Sequence, residues 1–198
     1  MQITQAEFHA IYGAGRPAMP GWSEAYADPH VTPENDVRVL SALIDFTKSK
    51  RCLEIGCNNG ATSVALLKGN TVITQYVGVD LPKIWFHNQL AGHFALNDPR
   101  FKPLQFENGS LSLNAVDIGM FDFVLIDGNH TEPYIQRDTE LAYEIISPGG
   151  VIAWHDYMHP KESLQVVTRF VDELKVAQAP ISPIIWVEGT VVCYQIMP

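Results

Sequence analysis

The stretch Cys52-Leu-Glu-Ile-Gly-Cys-Asn-Asn-Gly60, running on into Ala61-Thr-Ser-Val-Ala-Leu-Leu67, restricts the possible folds of this chain more than any other. A short apolar run, a turn built on two glycines and a helix-forming run read as buried strand, tight turn and helix start. A second strand-like run, Gln75-Tyr-Val-Gly-Val-Asp80, ends on a carboxylate 24 residues after Gly56. A strand-turn-helix unit followed by an acidic strand end belongs to open α/β sheets, whose ligands sit outside the carboxyl ends of the strands. The ligand class expected there is a small molecule carrying a nucleoside.

The turn argues against a dinucleotide. That fingerprint, G-x-G-x-x-G/A, needs its second glycine so that the backbone can approach a pyrophosphate. Counted from Gly56, this chain has Asn58 at that place and its next glycine at Gly60, and a pyrophosphate would crowd against Asn58. Gly56 then serves close backbone approach, and Gly60 a left-handed turn into the helix. Asp80 is placed to accept hydrogen bonds from the two vicinal hydroxyls of a ribose. A nicotinamide-dependent oxidoreductase is accordingly disfavoured.

Most of the remaining chain repeats the same alternation. Thr32-Pro33-Glu34 reads as a helix start with Thr32 as N-cap, leading into a helix with Val37, Leu40, Leu43 and Ile44 on its apolar face. Strands are expected at about 52–56, 75–80, 103–106, within Phe121-Asp-Phe-Val-Leu-Ile-Asp127, and at Val151-Ile-Ala-Trp-His155. The near-continuous apolar run Phe123–Ile126 suits a strand covered on both faces. Helices are expected at about 61–68, 82–93, 132–146 and 161–177, the third stopped by Ser147-Pro-Gly-Gly150. Ile184-Ile-Trp-Val187 and Val191-Val-Cys-Tyr-Gln-Ile196 flank Glu188-Gly-Thr190 and read as an antiparallel hairpin. The expected class is therefore α/β, a doubly wound and mostly parallel sheet of about seven strands with helices on both faces and a C-terminal antiparallel β-hairpin. Residues 1–12 suit a short helix carrying Ile3, Phe8 and Ile11. Residues 13–33 hold four prolines and three glycines with Trp22, Tyr26 and His30, a composition suiting either a lid over a pocket or a surface wrap.

Composition narrows the partners. A net charge of −9 and a pI near 5.1, without clustered Lys and Arg, disfavour a nucleic-acid substrate. No apolar stretch approaches the ~20 residues of a membrane span, and no basic-then-apolar leader opens the chain. Cys52, Cys57 and Cys193 show no metal spacing, and Cys52 and Cys193 lie in strand-like runs as buried thiols. A reducing cytoplasm is the expected compartment.

Over residues 33–198 the pattern resembles the class I S-adenosylmethionine-dependent methyltransferases. Phe121-Asp-Phe-Val-Leu-Ile-Asp-Gly-Asn-His130 and Pro148-Gly-Gly-Val-Ile-Ala-Trp-His-Asp-Tyr157 are similar to the macrocin and sugar O-methyltransferases among the small-molecule group. The resemblance implies a Rossmann-like sheet of order 3-2-1-4-5-7-6 and a cofactor domain over 33–198; residues 1–32, the short helix and the loop that suits either a lid or a surface wrap, precede it. It implies methyl transfer from S-adenosylmethionine to a small-molecule hydroxyl; cofactor binding without transfer, and metal-free N-methylation of a small amine, are the alternatives. By position Glu54, Gly56, Asn58, Gly60 and Thr62 would surround the methionine part of the cofactor. Asp80 would hold the ribose, and Asn108 and Ser110 would lie beside the adenine. Metal-dependent members hold a divalent ion such as Mg²⁺ on carboxylates at the ends of strands four and five, here Asp127 and Asp156. That family often has a second Glu, Asp or Asn beside the strand-five aspartate, where this chain has His155 and Tyr157. His130, three residues beyond Asp127, is the candidate base, with Asp127 beside it as a catalytic group. If strand five continues past Trp154, His155 points away from Asp156 and is structural. A homodimer is common in the groups it resembles.

Overall fold

The computed structural model describes residues 1–15, 32–84, 89–178 and 181–198. An eight-stranded sheet forms its centre: β1 (Gln2–Ile3), β2 (Arg51–Ile55), β3 (Gln75–Asp80), β6 (Phe101–Gln105), β7 (Phe121–Ile126), β8 (Ile146–Trp154), β9 (Ile185–Val187) and β10 (Cys193–Ile196). Their spatial order is β1-β9-β10-β8-β7-β2-β3-β6. Counted from β2, this is the expected 3-2-1-4-5-7-6 order, with β1 added as an eighth strand parallel to β9. The pairs formed by β6, β3, β2, β7 and β8 are parallel, whereas β10 runs antiparallel to both β8 and β9. Pro103 has no N–H for a ladder and lies on the edge strand β6, where that loss is tolerated.

The period of two along each strand divides the core. On β2 and β7, Cys52, Phe123 and Leu125 face one layer, while Leu53, Ile55, Val124 and Ile126 face the other. The first layer packs under α1 (Gln5–Tyr12), α2 (Glu34–Thr47) and α3 (Ala61–Gly69), through Phe8, Leu40, Leu43, Ile44 and Leu66. The second packs under α4 (Ala115–Ile118), α5 (Glu132–Ile145) and α6 (Gln165–Gln178), through Ile135, Leu141, Ile145, Val167 and Val171. Trp154 is fully buried, its indole N–H donating to Thr139 Oγ1 at 3.0 Å. The three cysteines are free and buried. Among the described residues, no helix is long and apolar enough to cross a membrane.

Two local expectations change. Pro33, not Thr32, is the N-cap of α2, and no side chain caps it. Thr32 instead turns inward, its hydroxyl 2.7 Å from that of Thr62. The expected helix at 82–93 is replaced at its described ends by β4 (Lys83–Ile84) paired antiparallel with β5 (Gln89–Leu90). Beyond it the backbone is claimed by the glycine turn: Gly92 N–H donates to Asn58 O and Phe94 N–H to Asn59 O. Those long-range bonds use donors that a continuing helix would satisfy internally. Trp85, Phe86 and most of the 13–33 loop, with Trp22, Tyr26 and His30, lie outside the described residues.

Candidate active site

Register aligns the strand ends. Ile55 stands opposite Val79 and Ile126, and Ile126 opposite Trp154. The residues that follow, Gly56, Asp80, Asp127 and His155, therefore emerge at one edge of the sheet. There they line a cavity of about 970 Å³, within the usual range for small-molecule sites. Of the sequence-predicted residues, Glu54, Gly56, Asn58, Thr62, Asp80, Asn108, Ser110, Asp127, His130 and Asp156 all border it. Gly60 does not. Its place is structural: it caps α3 at φ +82°, and a Cβ there would stand 2.8 Å from Gly92 Cα. Gly56, at φ +92°, lies so close to the end of β7 that a Cβ would come within 2.2 Å of Asp127 O. The close approach read from sequence is thus to a neighbouring strand's backbone.

The half of the cavity against β2 and β3 is held by hydrogen bonds. Asp80 accepts the Asn58 N–H on Oδ2 at 2.6 Å and the Leu81 N–H on Oδ1 at 2.7 Å, leaving lone pairs on both oxygens for a ligand. Burial raises its pKa. Glu54, also buried, accepts the Ser63 hydroxyl at 2.5 Å and the Tyr76 hydroxyl at 2.9 Å on Oε2. Burial nonetheless pushes its pKa up to about 8, with Asp127 and Asp80 adding repulsion. Asn58 Oδ1 is buried without a hydrogen-bond partner among the described residues. Ser110 is buried at the rim, facing the carboxylate of Asp138, which burial raises to about 6.

The half against β7 and β8 gathers acids and imidazoles. One ligand atom each from Asp127, His130 and Asp156 lie within 4.8 Å of one another. His130 Nε2 is 2.6 Å from Asp156 Oδ2 and 4.0 Å from Asp127 Oδ1. His130 caps no helix; α5 starts from Thr131, whose N–H donates to Asn129 Oδ1. Sequence reasoning missed His155. Its Nδ1 stands 3.2 Å from Asp127 Oδ1 and 3.5 Å from Asp156 Oδ1, and its Nε2 3.2 Å from Asp36 Oδ2. The strand stops at Trp154, and Asp156 takes a left-handed conformation at φ +61°. Strand alternation therefore ends before His155, which joins the two aspartates. Asp36, on the first turn of α2, had no signal beyond being a polar residue on a helix whose other buried positions are mostly apolar. Tyr157 faces away, its hydroxyl donating to Asp172 on α6.

Charge in this half is tightly balanced. Burial disfavours the charged form of His155, but Asp127, Asp156 and Asp36 outweigh it and raise its pKa well above the ordinary value. Burial also opposes a charged His130, and its contact with Asp156 reverses that into a rise. Asp156 is penalised by burial yet held well below the usual carboxylate range by the two imidazoles. Among the described lining residues, Asp80, Glu107, Asp127 and Asp156 outnumber Lys161, and the imidazoles of His130 and His155 offset part of that excess. The remaining negative excess disfavours a pyrophosphate.

Fold and site together are those of a methyltransferase. A model of the methyltransferase domain matches residues 53–157, and the chain belongs to that family. A search of curated proteins finds no significant sequence match. Among solved structures, the chain is similar to the SAH-bound methyltransferase PaMTH1 of Podospora anserina, at TM-score 0.70 and 14% identity over 98% of this chain and 93% of that one. It is also similar to the O-methyltransferase TomG of Streptomyces achromogenes in complex with SAM, at TM-score 0.59 and 16% identity over 98% and 96%. A third likeness is to the methyltransferase MycE of the mycinamycin biosynthetic pathway, in complex with Mg and SAH, at TM-score 0.59 and 17% identity over 93% and 55%. At these identities the likenesses speak for the fold.

Proposed function

We propose that the chain transfers a methyl group from S-adenosylmethionine to a hydroxyl oxygen of a small molecule, assisted by a divalent cation. The observation that carries this reading is one continuous, acid-lined cavity with the ribose-type carboxylate Asp80 in one half and the Asp127–His130–Asp156 cluster in the other. The residues suit both groups. Among the described residues Glu54 has no cationic partner to offset its burial, which an amino-acid ammonium would supply. Asp127 and Asp156, at the ends of neighbouring strands, bring carboxylate oxygens within 4.8 Å of each other, a spacing that lets both reach one cation.

When bound, the sulfonium supplies an already electrophilic methyl group and the cation lowers the pKa of the acceptor hydroxyl. The chain's own residues do the remaining work. Asp80 holds the ribose hydroxyls, Asn108 and Ser110 the adenine edge, and Glu54, Asn58 and Thr62 the methionine end. Fixing two reactants in line removes on the order of 7 kcal/mol or more from the barrier. Asp127 and Asp156 would hold the cation. His130, with a third of its side chain exposed, takes the acceptor's proton, and Asp156 stabilises the imidazolium so formed; such base assistance is typically worth ~10²–10⁴-fold. The same chemistry makes a small-molecule acceptor the expected partner.

Calorimetry with S-adenosylhomocysteine against NADH tests the cofactor: binding of NADH alone overturns the reading. Asp127→Ala and Asp156→Ala should abolish transfer to a panel of simple catechols and glycosides while leaving S-adenosylhomocysteine affinity within a few-fold. A transfer rate unchanged by EDTA removes the cation from the proposal and leaves the cofactor in place.

A further inference from the structure

On the reading that a divalent cation sits with Asp127 and Asp156, we infer that His155 gives that cation an imidazole nitrogen, and that the site selects a borderline transition-metal dication (manganese, iron, cobalt or zinc) over magnesium.

The argument begins behind the site. Asp36 is almost wholly buried, one oxygen accepting the Val191 N–H at 3.3 Å and the other standing 3.2 Å from His155 Nε2. A buried carboxylate at that nitrogen favours a proton on Nε2, so Nδ1 is the nitrogen that would turn to a cation, which on binding takes the place of a proton there. This is the arrangement by which proteins orient a metal-binding imidazole, its second nitrogen tied to a carboxylate.

Nδ1 is aimed at the acidic cluster. It lies 3.2 Å from Asp127 Oδ1 and 3.5 Å from Asp156 Oδ1, yet among the described residues it forms no aligned hydrogen bond with either and has no other partner. His155 is only 7% exposed, so water offers it little compensation, and a buried polar atom left in this state is costly. A cation between the two carboxylates would fall within reach of this same nitrogen. His130 is the more exposed imidazole, which divides the labour: His155 ligates and His130 faces the acceptor.

Donor type then decides the metal. Magnesium binds oxygen and keeps much of its water. Replacing an oxygen donor by imidazole favours the first-row dications, in rising order from manganese to copper. Beside Asp156 this chain places the imidazole of His155.

The test uses the full chain saturated with S-adenosylhomocysteine, titrated calorimetrically with Mn²⁺, Co²⁺ and Mg²⁺, together with proton NMR of the Co²⁺ form. Mn²⁺ and Co²⁺ should bind at least about tenfold more tightly than Mg²⁺. The Co²⁺ form should show a hyperfine-shifted imidazole N–H that exchanges slowly, being buried against Asp36. In His155→Asp, shown folded by its thermal melt, that resonance should vanish and the preference should move toward Mg²⁺. Mg²⁺ binding as tightly as Mn²⁺, or a Co²⁺ form lacking the slow N–H, overturns the inference and leaves a cation-assisted enzyme standing. Absence of binding by all three ions overturns both. The wild-type measurements decide the matter even if the variant does not fold.

Discussion

Replacing Glu54 by glutamine should make the protein's stability far less sensitive to alkali. Glu54 is fully buried, and burial lifts its pKa from the ordinary 4.5 to about 8. An acid with a raised folded-state value contributes its full stability below the unfolded value and loses it as pH climbs through the folded one. At about 1.4 kcal/mol per pH unit, the interval from 4.5 to about 8 corresponds to a loss on the order of 5 kcal/mol. Glutamine keeps an oxygen to accept the Ser63 and Tyr76 hydroxyls, so the packing is retained and only the ionisation is removed. Urea denaturation of the ligand-free protein, in steps from about pH 5 to pH 9, gives the difference between E54Q and wild type. Other titrating groups are common to both chains and largely cancel in that difference. The variant should gain several kcal/mol over wild type across this range, with the gain levelling off above about pH 8. A difference that stays flat means that Glu54 ionises at no cost in the folded state, and the account of its burial is then wrong.

Gly56→Ala should lower stability by roughly 3 kcal/mol or more, from the left-handed conformation and the overlap with Asp127 O. For a chain of this size that is a fall in Tm of roughly 6–12 °C, and a fall below about 2 °C contradicts the close approach of β2 and β7. Asp80→Asn removes the charge that strengthens hydrogen bonds from a ribose; S-adenosylhomocysteine affinity should drop about 10- to 100-fold in calorimetry, one charge-assisted bond being worth roughly 1.5–3 kcal/mol. An unchanged affinity places the ribose elsewhere.

Strand positions were legible because they depend on patterns that survive any tertiary context: apolar runs such as Phe123–Ile126, the break at Ser147–Gly150, and the hairpin around Gly189; their spatial order came from the family resemblance. Asp80, Asp127 and Asp156 were legible for the same reason, since they follow directly from where strands end. What escaped the sequence depends on backbone angles and on long-range neighbours. His155 enters the site because the strand stops one residue early and Asp156 sits at φ +61°, neither of which has a composition signal. Asp36 is 119 positions from its imidazole. Gly60 looked like a ligand contact because the need for a left-handed turn and the need for ligand space select the same residue; only the nearness of Gly92 separates them. The segment at 82–93 failed similarly: the Gly92 N–H is drawn to Asn58 O, and the Phe94 N–H just beyond it to Asn59 O.

The same property of Glu54 ties stability to the proposed ligand. Without ligand, a pKa of about 8 leaves this group mostly protonated at neutral pH. An ammonium group brought beside it favours the carboxylate and drives the proton off. Binding of S-adenosylhomocysteine near pH 7 should therefore release a proton in a yield approaching one per site. Calorimetry in two buffers of different ionisation enthalpy measures that yield directly. In E54Q the release assigned to this group should disappear, whereas release arising elsewhere in the cavity would persist unchanged. Equal proton release in wild type and E54Q therefore moves the ammonium away from Glu54, and with it the methionine end of the ligand.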